Sequence, residues 1–154
     1  MKKYGPEDFD VLKDSFEVIR RKPEMYAGEK PWGPNLAVGL VKDLVHLNVM
    51  PATVEKIDGW WVVSSAKDWL LQADCGISLE VFSNITRNLA IGRYAIREET
   101  VIAALADAVV TVGSGGLATW IAGDENHWPL PAGLTKKISN ISPGRLVAFR
   151  FDEP

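Results

Sequence analysis

A chain of 154 residues has the usual length of one domain and can bury a core without staples. Its composition, 47% hydrophobic and 24% charged with Cys75 the only cysteine, excludes collagen, wholesale disorder and a disulfide scaffold. Seventeen Lys and Arg against 20 Asp and Glu give a net charge of −3, with basic residues only in short groups such as Arg20-Arg21-Lys22, so no nucleic-acid footprint is expected.

In chain order, residues 1–8 are too charged for a secretory signal. Phe9, Leu12, Phe16 and Ile19 recur at helical spacing, and Pro23 ends that helix because the residue before proline avoids helical geometry. After the rigid Lys30-Pro31-Trp32-Gly33-Pro34 connection, Asn35 is placed as the N-cap of a second helix with Leu36, Leu40, Leu44 and Leu47 on one face. The period then changes. Thr53-Val54-Glu55-Lys56-Ile57 and Trp60-Trp61-Val62-Val63-Ser64 flank Asp58-Gly59, a strong two-residue hairpin signal. Residues 74–95 carry a weaker pattern, read as a short helix at 78–83 and then a loop.

Residues 97–108 read as a third helix, with Glu98 and Glu99 stabilising its positive N-terminal end. Residues 109–112 and 117–122 flank Gly113-Ser114-Gly115-Gly116 as a second hairpin, and 146–151 form a last strand after Ser142-Pro143-Gly144. The mostly apolar run 101–112 falls short of a membrane span, so a cytoplasmic protein is expected, with no membrane partner. Helices come mostly first and strands pair through hairpins. The class is therefore α+β, one domain over 1–154, with helices on one face of a mixed or antiparallel sheet.

The segment from Glu17 to Gly28 carries a resemblance. Arg20, Pro23, Met25, Tyr26 and Gly28 stand where the ATPase domains of DNA gyrase B and topoisomerase IV have an Ala-Val-Arg-Lys-Arg-Pro-Gly-Met-Tyr-Ile-Gly string, and Arg21 and Lys22 keep its charge. The order of the later elements is similar as well, over about residues 8–151. The resemblance implies a GHKL ATPase-like fold, a two-layer sandwich with helices on one face of a mixed sheet.

Carried over residue by residue, the ATP determinants of that family are missing. Lys42 falls where a Glu activates the attacking water, and a protonated lysine is no general base. His46 falls at the Mg²⁺-ligating Asn, where imidazole is a poor donor for a cation that prefers oxygen. In Ser64-Ser65-Ala66-Lys67-Asp68-Trp69-Leu70 neither glycine of the adenine-site motif survives, and Asp68 matches its carboxylate only if the register slips. Ile96 and Glu98 replace the last two glycines of the phosphate loop, with Gly92 the only glycine nearby, so carboxylates face the place for phosphates. Arg145 stands at the adenine-side Thr. The degenerate positions Lys42, His46, Asp68, Glu98 and Arg145 thus imply no catalytic residue, no metal and no cofactor.

The remaining candidates are aromatic. Trp60, Trp61 and Trp120 lie in predicted strands, whereas Trp32, Trp69 and Trp128 fall in predicted loops, where aromatic residues serve as partner anchors or cap a core. Lys42 and Trp69 are expected to plug the degenerate pocket; Cys75 is read as an idle thiol and Lys42-Asp43 as a solvated helix face. The function expected is that of a non-catalytic protein-binding domain, an immunity protein or antitoxin that neutralises a bacterial toxin. A mimic or regulator of gyrase or topoisomerase and a residual ATPase are the alternatives.

Overall fold

The computed structural model describes residues 15–72, 76–77, 79–83, 97–113, 115–140 and 144–152. Its helices are Ser15–Arg21 (α1), Glu24–Ala27 (α2), Trp32–His46 (α3), Glu98–Leu105 (α4) and Ala132–Ser139 (α5). The strands are Ala52–Ile57 (β1), Trp60–Ser65 (β2), Leu71–Gln72 (β3), Gly76–Ile77 (β4), Ala108–Val112 (β5), Ala118–Ala122 (β6) and Arg145–Arg150 (β7). Five strands form a sheet in the order β1-β2-β7-β5-β6, and β3 pairs with β4 separately. Each described pairing is antiparallel, which corrects the mixed sheet and keeps the α+β class.

The β1–β2 hairpin turns on Asp58 and Gly59, whose φ angles of 46° and 89° are the positive pair a type I′ turn requires. Ile57 pairs directly with Trp60. The inner strands β2, β7 and β5 are nearly continuous apolar runs because both of their faces are covered. Alternate side chains divide between two cores. Val63, Val109, Val147 and Phe149 pack with Ile19 of α1, Leu36, Leu40 and Leu44 of α3, and Ile102 of α4. Trp60, Val62, Val110, Leu146 and Ala148 pack on the opposite face with Leu134 and Ile138 of α5. Each buried Val, Leu, Ile or Phe among them contributes about 1.5–3 kcal/mol.

Helix α5 therefore corrects the expectation of helices on one face and the two-layer sandwich. Leu134 and Ile138, four residues apart, give it one apolar side, and Lys137 ties it to β1 through a salt bridge to Glu55. Two helix boundaries also differ from expectation. α3 starts at Trp32 and not after Asn35, because Pro34 sits in the first turn, where its missing N–H has no helical acceptor anyway. α4 stops at Leu105, since Ala106 is extended and Asp107 N–H donates to Arg150 O at 2.9 Å, entering the sheet.

Glu80–Phe82 is a 3₁₀ turn inside the helix expected at 78–83. The expectations for Phe9, Leu12, Cys75, Gly92, Ile96, Ser114, Ser142 and Pro143 lie outside the described residues. No described helix is long and apolar enough to cross a membrane.

Candidate functional site

The Arg20-to-Gly28 segment is a connector between helices. Arg20 Nε donates to Ala104 O at 2.8 Å and fastens α1 to α4. Pro23 caps the start of α2, Ala27 is buried, and Gly28, with φ 69°, ends the turn in a backbone conformation that favours glycine. Asn35 Nδ2 then donates to Ala27 O at 3.0 Å and to Glu29 O at 2.8 Å, so Asn35 locks the connector onto α3 instead of capping it. The result places Tyr26 beside the exposed flank of α3.

A cleft of about 610 Å³ opens there, between α2, α3 and the start of α4. Lys42, His46 and Glu98, three of the five degenerate positions, line it together with Asp43 and Gly39. Lys42 stands on its wall without filling it, and Trp69 is not part of its lining, so the plug expected from those two residues is absent. Lys42 is exposed, as a solvated helix face requires, but Asp43 is half-buried. Asp43 Oδ2 accepts the Glu98 backbone N–H at 2.7 Å and so closes the N-terminus of α4.

Behind this cap lies a group of charges that sequence reasoning missed. Glu99 is fully buried and accepts from Arg97 through both of its oxygens, and Trp69 Nε1 donates to Glu99 Oε1 at 3.2 Å. The reading of Glu98 and Glu99 as simple charges on a helix end is corrected accordingly. Burial raises the Glu99 carboxyl, with Arg97 opposing, and burial likewise raises Asp43. Glu98 is pushed up to about 8, first by burial and then by the Asp43 and Glu99 charges. Its side chain lies directly on the backbone of α3: a Cβ at Gly39 would stand 2.5 Å from Glu98 Cδ. A glycine inside the Leu-patterned helix was the available signal for this close approach.

The other two degenerate positions meet elsewhere. Arg145 Nε and Nη2 donate to the two oxygens of Asp68 at 2.9 and 2.8 Å, a fork that leaves both side chains nearly dry. Arg145 Nη1 reaches Thr111 Oγ1 at 3.3 Å, and Gly113 leaves room for the guanidinium, since a Cβ there would lie 2.5 Å from Nη2.

The three tryptophans expected in loops are each engaged, and Trp32 lies not in a loop but in α3. Trp69 packs against the first core. Trp128 packs against the second core with the Arg150 guanidinium 5.2 Å from its ring. Trp32 opens α3, donates to Gly28 O at 3.1 Å and meets Phe151 edge to face at 6.2 Å.

Chemically, the cleft offers one carboxyl that exchanges its proton close to neutral pH, beside a lysine and a histidine. Among the described residues no three His, Cys, Asp or Glu side chains form a group able to hold a metal ion. No protein-family model matches the chain, and no curated protein sequence is significantly similar to it.

Proposed function

We propose that the chain is a non-catalytic protein-binding domain of the gyrase-B-like, GHKL type whose nucleotide chemistry has been replaced, and that it acts in the cytoplasm as an immunity protein or antitoxin. The observation that carries this reading is the Asp43 carboxylate on the Glu98 N–H. In a nucleotide site of that type, the free N–H groups of this helix end would hold phosphate. Here a side chain already holds one of them. Repulsion plays a smaller part than two ionised glutamates would give, because Glu98 is neutral below about pH 8 and Glu99 is paired with Arg97. Occupancy, more than charge, opposes a triphosphate.

The Asp68–Arg145 pair supports the same reading. An adenine amino group would have to share Asp68 with a forked guanidinium and the Leu70 N–H, which already engage both of its oxygens. The net charge of −3 suits a basic partner, such as a nuclease toxin, by speeding association.

Calorimetric titration with Mg-ATP tests the loss of nucleotide chemistry, and no saturable heat is expected up to millimolar ligand. Saturable magnesium-dependent binding overturns it. Mixing with the protein encoded beside this gene tests the toxin-neutralising role, where a stable complex and protection from toxicity are expected. Capture of topoisomerase subunits instead would favour a gyrase mimic, for which the Arg20-to-Gly28 segment is the supporting feature.

A further inference from the structure

A second cavity, of about 530 Å³, shares no lining residue with the α3–α4 cleft, and apart from Lys30 its lining is apolar, aromatic or acidic. Trp32 and Phe151 supply ring surface, with centroids 6.2 Å apart and planes at 67°. Both rings are fixed from behind: the Trp32 indole N–H is held by Gly28 O, and Phe151 meets the buried Phe149 edge to face at 6.2 Å. Asp107 and Asp152 line the same cavity, both exposed, with Asp152 N–H donating to Asp107 Oδ2 at 2.6 Å. Leu105 is the last residue of α4, the end of a helix that carries partial negative charge, although Arg20 already meets the neighbouring Ala104 carbonyl.

Aromatic faces, carboxylates and a helix C-terminus all attract cations. One cation is already present. The Lys30 ammonium lies 4.7 Å from the centre of the Trp32 ring, in a cavity whose other lining residues are apolar or acidic.

We propose that this cavity is the docking socket for an arginine side chain of a basic partner protein, and that Lys30 is an internal stand-in which the arginine displaces. The proposal rests on the reading of the chain as a protein-binding domain. It names arginine because a planar guanidinium stacks on an indole while forking to a carboxylate, which a lysine ammonium cannot do. The exposed Lys30 ammonium leaves for solvent without stranding a buried charge.

The test uses the full chain, ¹⁵N-labelled, titrated with N-acetyl-arginine amide and, as an apolar control, N-acetyl-leucine amide. The Trp32 indole resonance is assigned by its loss in Trp32→Phe, and the arginine probe is expected to shift it saturably in the millimolar range. Lys30→Met removes the competitor and should tighten the probe by about two- to fivefold, the span of one exposed cation–π contact. Asp152→Asn should weaken it by about two- to fivefold, as for an exposed ion pair. Both replaced side chains are exposed, so the fold is left intact. No saturable shift in either the parent or Lys30→Met overturns the proposal, and so does an equal response to the leucine probe. An unresponsive socket in a chain that also ignores Mg-ATP removes this proposal alone, whereas Mg-ATP binding removes the broader reading whatever the socket does.

Discussion

Asp43 and Glu98 meet through one hydrogen bond of 2.7 Å, from the backbone of the second to the carboxylate of the first, and this joins two helices 55 residues apart in sequence. Asp43→Ala should destabilise the protein by about 0.5–2 kcal/mol, the usual cost of losing a helix cap. Asp43→Asn keeps an acceptor and should cost less. Urea denaturation of the two variants at pH 6 separates them; equal losses would show that charge, not capping, is what Asp43 supplies.

Glu98 makes stability depend on pH. In the folded protein it holds its proton up to about pH 8, and in the unfolded chain only to about 4.5. Between those values the folded state binds more protons, so stability falls as pH rises and levels off above about 8. Glu98→Gln has no proton to lose. It should gain on the parent protein by up to about 5 kcal/mol between pH 4 and pH 9, for a rise from 4.5 to about 8 at 1.36 kcal/mol per unit. Parallel stability curves for the two proteins would show that the Glu98 carboxyl is freely solvated.

The Asp68–Arg145 fork is nearly dry, so removing either partner leaves a buried charge without its counterpart. Asp68→Ala and Arg145→Ala should each cost about 3–5 kcal/mol. An apolar double replacement, Asp68→Leu with Arg145→Met, should recover much of that loss. A double-mutant cycle by chemical denaturation reads the coupling; losses below about 1 kcal/mol in both single variants would mean a solvated pair.

Trp69 donates to a carboxylate that is otherwise held by Arg97. Trp69→Phe should therefore lower stability by about 1–3 kcal/mol, the range for a buried group left short of a partner. Thermal unfolding measures it. Unchanged stability combined with weaker partner binding would instead make Trp69 a surface anchor.

Local chemistry was legible in the sequence where it acts over a few residues. Asp58-Gly59 named its hairpin because positive φ is demanded within the turn itself. The leucines of α3 marked its buried side, and β7 was misplaced by a single residue. Helix α5 was not anticipated, although Leu134 and Ile138 have helical spacing, because Pro129, Pro131 and Gly133 around its start are poor helix formers.

The site was less legible, for a physical reason. A glutamate at a helix start has the same local signature whether it faces water or, like Glu99, a buried arginine. Asp68 and Arg145 were picked out separately as replaced positions, yet they lie 77 positions apart, and it is the β2–β7 pairing of Ser65 with Arg145 that brings the segment after β2 beside the arginine. Arg97 was read only as the first residue of a helix, because its value comes from what surrounds Glu99.

Gly39 decides the fate of an acid it is not bonded to. A helix interior with glycine gives up about 0.5–1 kcal/mol relative to alanine, and what it obtains is a flat berth for the Glu98 carboxyl against the main chain. One methyl group at that position would evict the carboxyl toward water, turning a proton store that works near neutrality into an everyday surface acid.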